Sequence, residues 1–289
     1  MAARSTQGSR LGARRPIRSR MVAAALIRLR YPADCRRCGR HLAPGTRARW
    51  DRDSKRATCC ACFDSPDPLP ALNHGIAGAS AAREWARRSA KHEQRIREAH
   101  PRIGGLILAL DAEPQSTTGW AVGAQGEIEL GAQFDTYRKH GIAVLHDRRI
   151  PQSRANIDHL LISTAGVFVV DAKRYRGKVE RRDVGGLFRS DVRLYVDGRD
   201  RTKVVRGLCR QVAAVKEALA PSAYARVPVT PVVCFVDAEW NLFARPIEIN
   251  GVQIVWPRAV WDLVTRTGPL SADEIASVEA TLARMLRPA

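Results

Sequence analysis

No apolar run in the 289-residue chain approaches the ~18 residues a helix needs to cross a bilayer, so integral membrane association is not expected. Cysteine is scarce as well. Seven residues are too few for a disulfide framework at this length, and five of them fall between positions 35 and 62. That clustering suggests metal ligation in a reducing compartment. The patterns G-x4-GK[ST], H-E-x2-H and G-x-S-x-G are absent, which argues against a P-loop NTPase, a zinc protease and an α/β-hydrolase. No internal repeat is visible. The apolar stretch Met21–Ile27 is short, runs at once into Arg28 and Arg30 and lacks an A-x-A cleavage site. A secretory signal is therefore not expected, and the protein is read as cytoplasmic, beginning at Met1 or at Met21.

What the chain has in excess is arginine. Lys and Arg total 48 against 29 Asp and Glu, a net charge of +19, of which the first 62 residues carry +13. A basic end of this kind suits a phosphate-bearing partner, either nucleic acid or an anionic membrane surface. Compositional drift in a GC-rich genome is the alternative source, since Arg outnumbers Lys 41 to 7. Residues 1–30, rich in Arg and small polar residues, read as a disordered basic tail.

Residues 31–63 contain C-x2-C at Cys35 and Cys38 and again at Cys59 and Cys62, with 20 residues between the pairs. This is the spacing of a structural zinc site with four thiolate ligands, with Gly39 easing the first turn. A segment this short folds on metal-binding energy. Cys60 could replace Cys59, and His41 could replace one cysteine; the spacing favours Cys59. Arg36, Arg37, Arg40, Arg47 and Arg49 surround the module and could contact phosphates.

Residues 64–118 read as a connector: a proline-rich break at 65–70, an exposed helix between Ala79 and Ala99, a short apolar run at 104–110 and a loop at 113–119. From 119 to 289 the pattern is that of one mixed α/β domain. A helix near 121–138 carries Gly123, Glu127 and Gly131 on one line, a face expected to be closely approached. The strands NIDHLLIS and VFVVDAK form a hairpin, and period-two alternation sets Val167, Val169, Asp171 and Lys173 on one face. With an even-numbered loop, Asp158 faces the same side as Asp171, the two Cβ atoms being about 5–8 Å apart. Two such carboxylates repel unless a divalent cation binds them or one is protonated. Glu127, Asp158 and Asp171 would offer oxygens to Mg2+ or Mn2+, the Ala172 carbonyl another, and Lys173 a positive charge beside them.

The run GWAVGAQGE…VLHDRRIP…NIDHLLIS…GVFVVDAKRYRGKVE, followed by Gln211, resembles the nuclease-related domain (NERD), a branch of the PD-(D/E)XK nuclease superfamily. A four-cysteine module ahead of such a domain is likewise similar to known NERD architectures. The resemblance covers roughly 117–260 and implies a restriction-endonuclease-like mixed sheet flanked by helices. It places Glu127 as the acid of the first helix, Asp158 on the second core strand and Asp171-Ala172-Lys173 as the (D/E)-x-K on the third. It implies Mg2+-dependent cleavage of DNA, with the zinc module and tail aiding nucleic-acid binding. A nucleic-acid- or partner-binding protein that kept the fold without turnover is the alternative. A third reading is an adaptor held to anionic membrane by its tail.

Gln211 sits on a helical apolar stripe formed by Val204, Leu208, Val212, Val215 and Leu219, so it points inward. One branch of the superfamily uses Gln-x3-Tyr there, and here Val215 replaces the Tyr; a hydrogen-bonded core Gln is the alternative. His159 is expected to point away from Asp158, as packing or as a supporting donor. Arg148, Arg149 and Arg154 before the second strand, and Arg174, Arg176 and Lys178 after the third, are candidate phosphate contacts. Cys209 and Cys234 read as core thiols.

Overall fold

A computed structural model of the chain describes residues 25–36, 41–52, 55–63, 72–103, 105, 107–108, 115–186, 189–241 and 243–289. The tail residues 1–24, Cys38, and Arg37, Gly39 and Arg40 beside it lie outside the described residues.

The N-terminal unit comprises β1 (Ala25–Arg28), β2 (Ala33–Asp34), β3 (His41–Leu42), β4 (Arg47–Asp51), β5 (Arg56–Cys59) and one helical turn, α1 (Cys60–Phe63). β4 pairs antiparallel with β1 and with β5, and β2 with β3. The unit thus begins ahead of residue 31: Ala25–Arg28, expected within a disordered tail, is an edge strand whose backbone groups are satisfied by β4. Its small core is Leu29, Leu42, Ala48 and Ala57 around three cysteines.

The connector helix α2 (Ala79–Ala99) exposes most of its surface, laced by Glu84–Arg88 and Glu93–Arg97 pairs, and buries Ala81 and Ile96. It packs on α3 (Gln115–Tyr137), which starts earlier than the sequence suggests, so most of the loop expected at 113–119 is helical. The described residues of the apolar run, Gly105, Ile107 and Leu108, are helical rather than extended.

The large unit then runs β6 (Ala143–Arg149), β7 (Asn156–Ser163), β8 (Gly166–Lys173), β9 (Val179–Asp183), β10 (Val192–Val196), β11 (Arg199–Asp200), α4 (Thr202–Leu219), β12 (Val229–Phe235), β13 (Ile247–Ile249), β14 (Val252–Val255), α5 (Pro257–Val264) and α6 (Ala272–Met285). Six strands form one mixed sheet in the order β13-β14-β12-β8-β7-β6, with β12 parallel to β8 and β14, while β9 to β11 form a separate three-stranded sheet. Helices cover both faces. Leu160, Ile162, Val167 and Val169 meet Leu208 and Val215 of α4 and Val278 and Leu282 of α6. Leu161, Phe168 and Val170 meet Leu130 and Phe134 of α3 and Val260 and Leu263 of α5. The central strands are buried on both sides, and they read as apolar runs broken only at the positions that bear charge.

β6 is an edge strand, and its edge is covered. The His146 amide donates to the His74 carbonyl at 2.7 Å and the Arg149 amide to Arg287 at 2.9 Å. Gly75 permits this approach: its φ is +76°, and a Cβ there would sit 2.0 Å from the His146 carbonyl oxygen. Arg148, expected in a surface loop, is instead wholly buried in β6 and donates to the carbonyls of Leu286 and Asn73. Burial pulls its guanidinium down to about 10.

Asp147 joins α2 to the sheet. Its buried carboxylate accepts from the Ser80 amide at 2.7 Å, the Ser80 hydroxyl at 2.6 Å and the Asn156 amide group at 2.7 Å. Its φ of +50° is a conformation that Asp and Asn adopt more readily than Ala. Asp147→Ala strands three donors and is expected to cost about 2 kcal/mol, and Asp147→Asn less, as read from urea denaturation midpoints. Equal midpoints for the two variants would refute this account.

Candidate active site

β7 and β8 are joined through Thr164 and Ala165, with Ser163 opposite Gly166. A two-residue loop keeps the faces in step, and the register that pairs His159 with Val170 sets Asp158 opposite Asp171 one residue on. The same holds across β6 and β7. His146 pairs with His159 and Arg148 with Ile157, so Asp147 stands opposite Asp158. Three carboxylates thus occupy one row across three neighbouring strands, and the left-handed backbone of Asp147 turns its side chain out to Ser80.

Asp158 and Asp171 are buried. Asp158 accepts the Ala172 amide at 3.0 Å. Asp171 accepts Lys173 Nζ at 2.6 Å on one oxygen and Gln211 Nε2 at 3.3 Å on the other. Gln211 therefore belongs to this cluster, and its own Oε1 is buried without a hydrogen-bond partner. Val215, at the position of the missing tyrosine, is fully buried in the core. Lys173 also donates to the Ala172 carbonyl at 3.1 Å, so that oxygen, expected to face a cation, is engaged by an ammonium.

Glu127 comes to the row from α3. Burial, and next the charge of Asp158, pushes its carboxyl up to about 9, with Lys173 opposing. Its Oε2 is buried and has no hydrogen-bond partner. Asp158 is raised to about 7 by burial and by Asp171. Burial works against the charge of Lys173, yet Asp171 and Asp158 hold its ammonium above the ordinary lysine value. Glu127, Asp158, Asp171 and Lys173 thus share one electrostatic site, to which Gln211 is joined by its hydrogen bond to Asp171. Glu127, Asp158 and Asp171 do not, however, bring one oxygen each within 4.8 Å of one another; among the described residues only a cysteine cluster meets that criterion. Lys173, closed on Asp171, does part of the charge neutralisation that a cation would do.

The glycine line on α3 has a different basis from the one its spacing suggests. A Cβ on Gly123 would meet nothing within 4 Å, whereas one on Gly131 would lie 2.3 Å from the Cβ of Ala77 and against His146 and His159. His159 does point away from Asp158. It packs edge-on to Phe134 at 5.2 Å, and its Nδ1 lies 2.8 Å from His146 Nδ1. His146 Nε2 reaches Asp135 at 3.2 Å. Burial depresses both imidazoles, His159 the more strongly. Arg174 is held by Asp237 at 2.6 Å and Glu129 at 3.2 Å, and Lys178 by Glu180 at 3.1 Å, so neither is an uncommitted phosphate contact.

In the N-terminal unit Cys35, Cys59 and Cys62 lie with their sulfurs within 4.8 Å of one another, all buried. Cys60 stands apart and donates to the Arg47 carbonyl at 3.4 Å, and His41 pairs with Asp34 at 3.1 Å. Arg36 pairs with Asp51, and Arg49 lies over the ring of Phe63. Cys234 is a buried core thiol, whereas Cys209 is exposed. No helix among the described residues is long and apolar enough to cross a membrane.

Residues 122–236 match the family model of the nuclease-related domain, NERD. The match spans α3 to β12 and includes Glu127, Asp158, Asp171, Lys173 and Gln211. No curated protein and no solved structure matches the chain.

Proposed function

We propose that this protein hydrolyses phosphodiester bonds in DNA with Mg2+ or Mn2+ at the site formed by Glu127, Asp158, Asp171, Lys173 and Gln211, in a reducing, cytoplasmic setting. The reading is carried by one observation: within the region similar to a nuclease-related domain, buried carboxylates from α3, β7 and β8 share a single field with one lysine. The donor set suits a hard cation, being all carboxylate oxygen, and the orphaned Oε2 of Glu127 is an acceptor awaiting a partner. When bound, Mg2+ supplies a Lewis acid for a phosphate oxygen and lowers the pKa of a water. Asp158 and Asp171 would hold it from adjacent strands and Glu127 from the helix. Lys173 remains charged through neutral pH, so it stabilises negative charge at the phosphate rather than taking a proton. Gln211 fixes the orientation of the Asp171 carboxylate.

The grip of Lys173 on Asp171 favours a second reading, in which the lysine replaces the cation and the protein binds nucleic acid or a partner without turnover. Cleavage of plasmid or branched DNA separates the two. Mg2+- or Mn2+-dependent activity that is lost in both Asp171→Ala and Lys173→Ala supports hydrolysis; equal activity in all three proteins sinks it.

In the N-terminal unit, Cys35, Cys59 and Cys62, with Cys38 as the fourth thiolate, would hold a structural Zn2+ that aids nucleic-acid binding. The three gathered sulfurs support this, since soft thiolates in a tetrahedron suit that ion. Burial keeps the Cys59 thiol above its ordinary value, and a bound cation would favour its thiolate. Cys59→Ser is expected to lose bound zinc and Cys60→Ser to keep it, measured by metal content after gel filtration. Equal zinc in both variants would count against the assignment of Cys59.

A further inference from the structure

We infer that a second, arginine-lined cleft beside the carboxylate row binds the sugar–phosphate backbone of the same nucleic acid, and this inference rests on the phosphodiester reading above. The cleft has a volume of about 730 Å3 and lies between the first turns of α2 and the β6–β7 turn. Arg83, Arg87 and Arg88 line it from α2, and Arg149 and Arg154 from the turn. Glu84 is its one acidic wall residue, and Arg87 and Arg88 already hold it at 2.7 and 2.6 Å. Arg83 is engaged by a main-chain oxygen of Ala289 and pairs with Asp147 at 3.7 Å. Arg149 and Arg154 are exposed and have no carboxylate partner among the described residues. A concave wall with unspent guanidinium donors is complementary to phosphate oxygens, for which their planar fork is suited.

Two features make this more than a solvated basic surface. The floor is rigid: Asn156 donates to Ser80 and to Asp147, and Asp147 holds the first turn of α2, so both walls are fixed to each other. The cleft also leads to the site. Asn156 lies two residues before Asp158 on β7, about 7 Å away along the same strand. A strand whose phosphate lies at Asp158 and Asp171 would continue over Asn156 between Arg149 and Arg154.

The test is fluorescence anisotropy of a short labelled duplex with the full chain, without added divalent cation so that binding is read apart from cleavage, over a series of KCl concentrations. Arg149→Ala/Arg154→Ala is compared with Arg258→Ala/Arg266→Ala, which removes the same charge from the exposed surface around α5. The cleft variant is expected to bind about tenfold more weakly at ~0.1 M salt, with a salt slope flatter by roughly 2, and the control to stay near wild type. Equal losses in the two variants, or no loss in either, overturn the inference. So does unchanged duplex binding in a variant that has lost affinity for inorganic pyrophosphate, which would make the cleft a small-anion site. A wild type that binds through the cleft but cleaves nothing overturns the hydrolytic reading alone, and one that binds no duplex overturns both.

Discussion

Lys173→Ala is expected to slow Mg2+-supported cleavage about 10^3-fold while leaving cation binding intact or tighter, and Asp171→Asn to lose both. The difference follows from what each side chain does in the metal-free protein. The Lys173 ammonium closes on Asp171 at 2.6 Å and competes with any cation for that carboxylate. Removing it deletes the positive charge at the phosphate but frees the Asp171 oxygen. Asp171→Asn removes a charged oxygen donor and leaves Lys173 facing an amide. Gln211→Ala should fall between, at about tenfold, because Asp171 keeps its charge and loses only one orienting donor. Single-turnover nicking of supercoiled plasmid gives the rates, and calorimetric titration with Mg2+ or Mn2+ gives the affinities. A Lys173→Ala protein that neither cleaves nor binds the ion, with an unchanged melting curve, would show that lysine and cation do not share this site as described.

The parts of this site that are legible in the sequence are those set by local periodicity. Alternation along VFVVDAK places Asp171 and Lys173 together, and the even-numbered loop after Ser163 carries the same face back to Asp158. The helical stripe around Leu208 and Val215 turns Gln211 inward for the same kind of reason, and C-x2-C spacing selects Cys59 over Cys60. What is not legible depends on partners far along the chain. Ser80 and Asp147 are 67 residues apart, and nothing near either one signals that the connector closes on β6. Arg148 reads as a solvated loop cation because arginine is almost always exposed; its burial depends on carbonyls from Asn73 and Leu286. The glycine line on α3 is visible, but its period does not say which surface approaches it, and Ala77 at Gly131 does so while Gly123 stays open. The pairing of His146 with Asp135 is hidden for the same reason, one lying on a strand and the other on a helix.

The carboxylate row also sets the stability of the metal-free protein, with a sign opposite to that of a salt-bridged acid. Glu127 and Asp158 titrate in the fold near 9 and near 7, above the ordinary carboxylate range. The native state therefore holds protons that the unfolded chain has released. Stability contributed by these groups is full below about pH 4, declines as pH rises through 7 for Asp158, and continues to decline to about pH 9 for Glu127. Glu127→Gln replaces the group with one that carries no charge at any pH. At pH 9 in chelator too weak to strip thiolate-bound zinc, it should stabilise the protein by about 4 kcal/mol, or roughly 8–15 °C in Tm for the large unit. At pH 5, less than one unit above the value of an unfolded glutamate, little of this cost has yet developed and the gain should be under ~1 kcal/mol. Adding Mg2+ at pH 9 should raise the Tm of wild type and scarcely move that of Glu127→Gln, because an ion offsets the same repulsion that the substitution removes. Paired melting curves at the two pH values, with and without Mg2+, measure all of this. A shift of equal size at both would mean that Glu127 is not held protonated by the row, and its role as an oxygen donor beside Asp158 would fall with that.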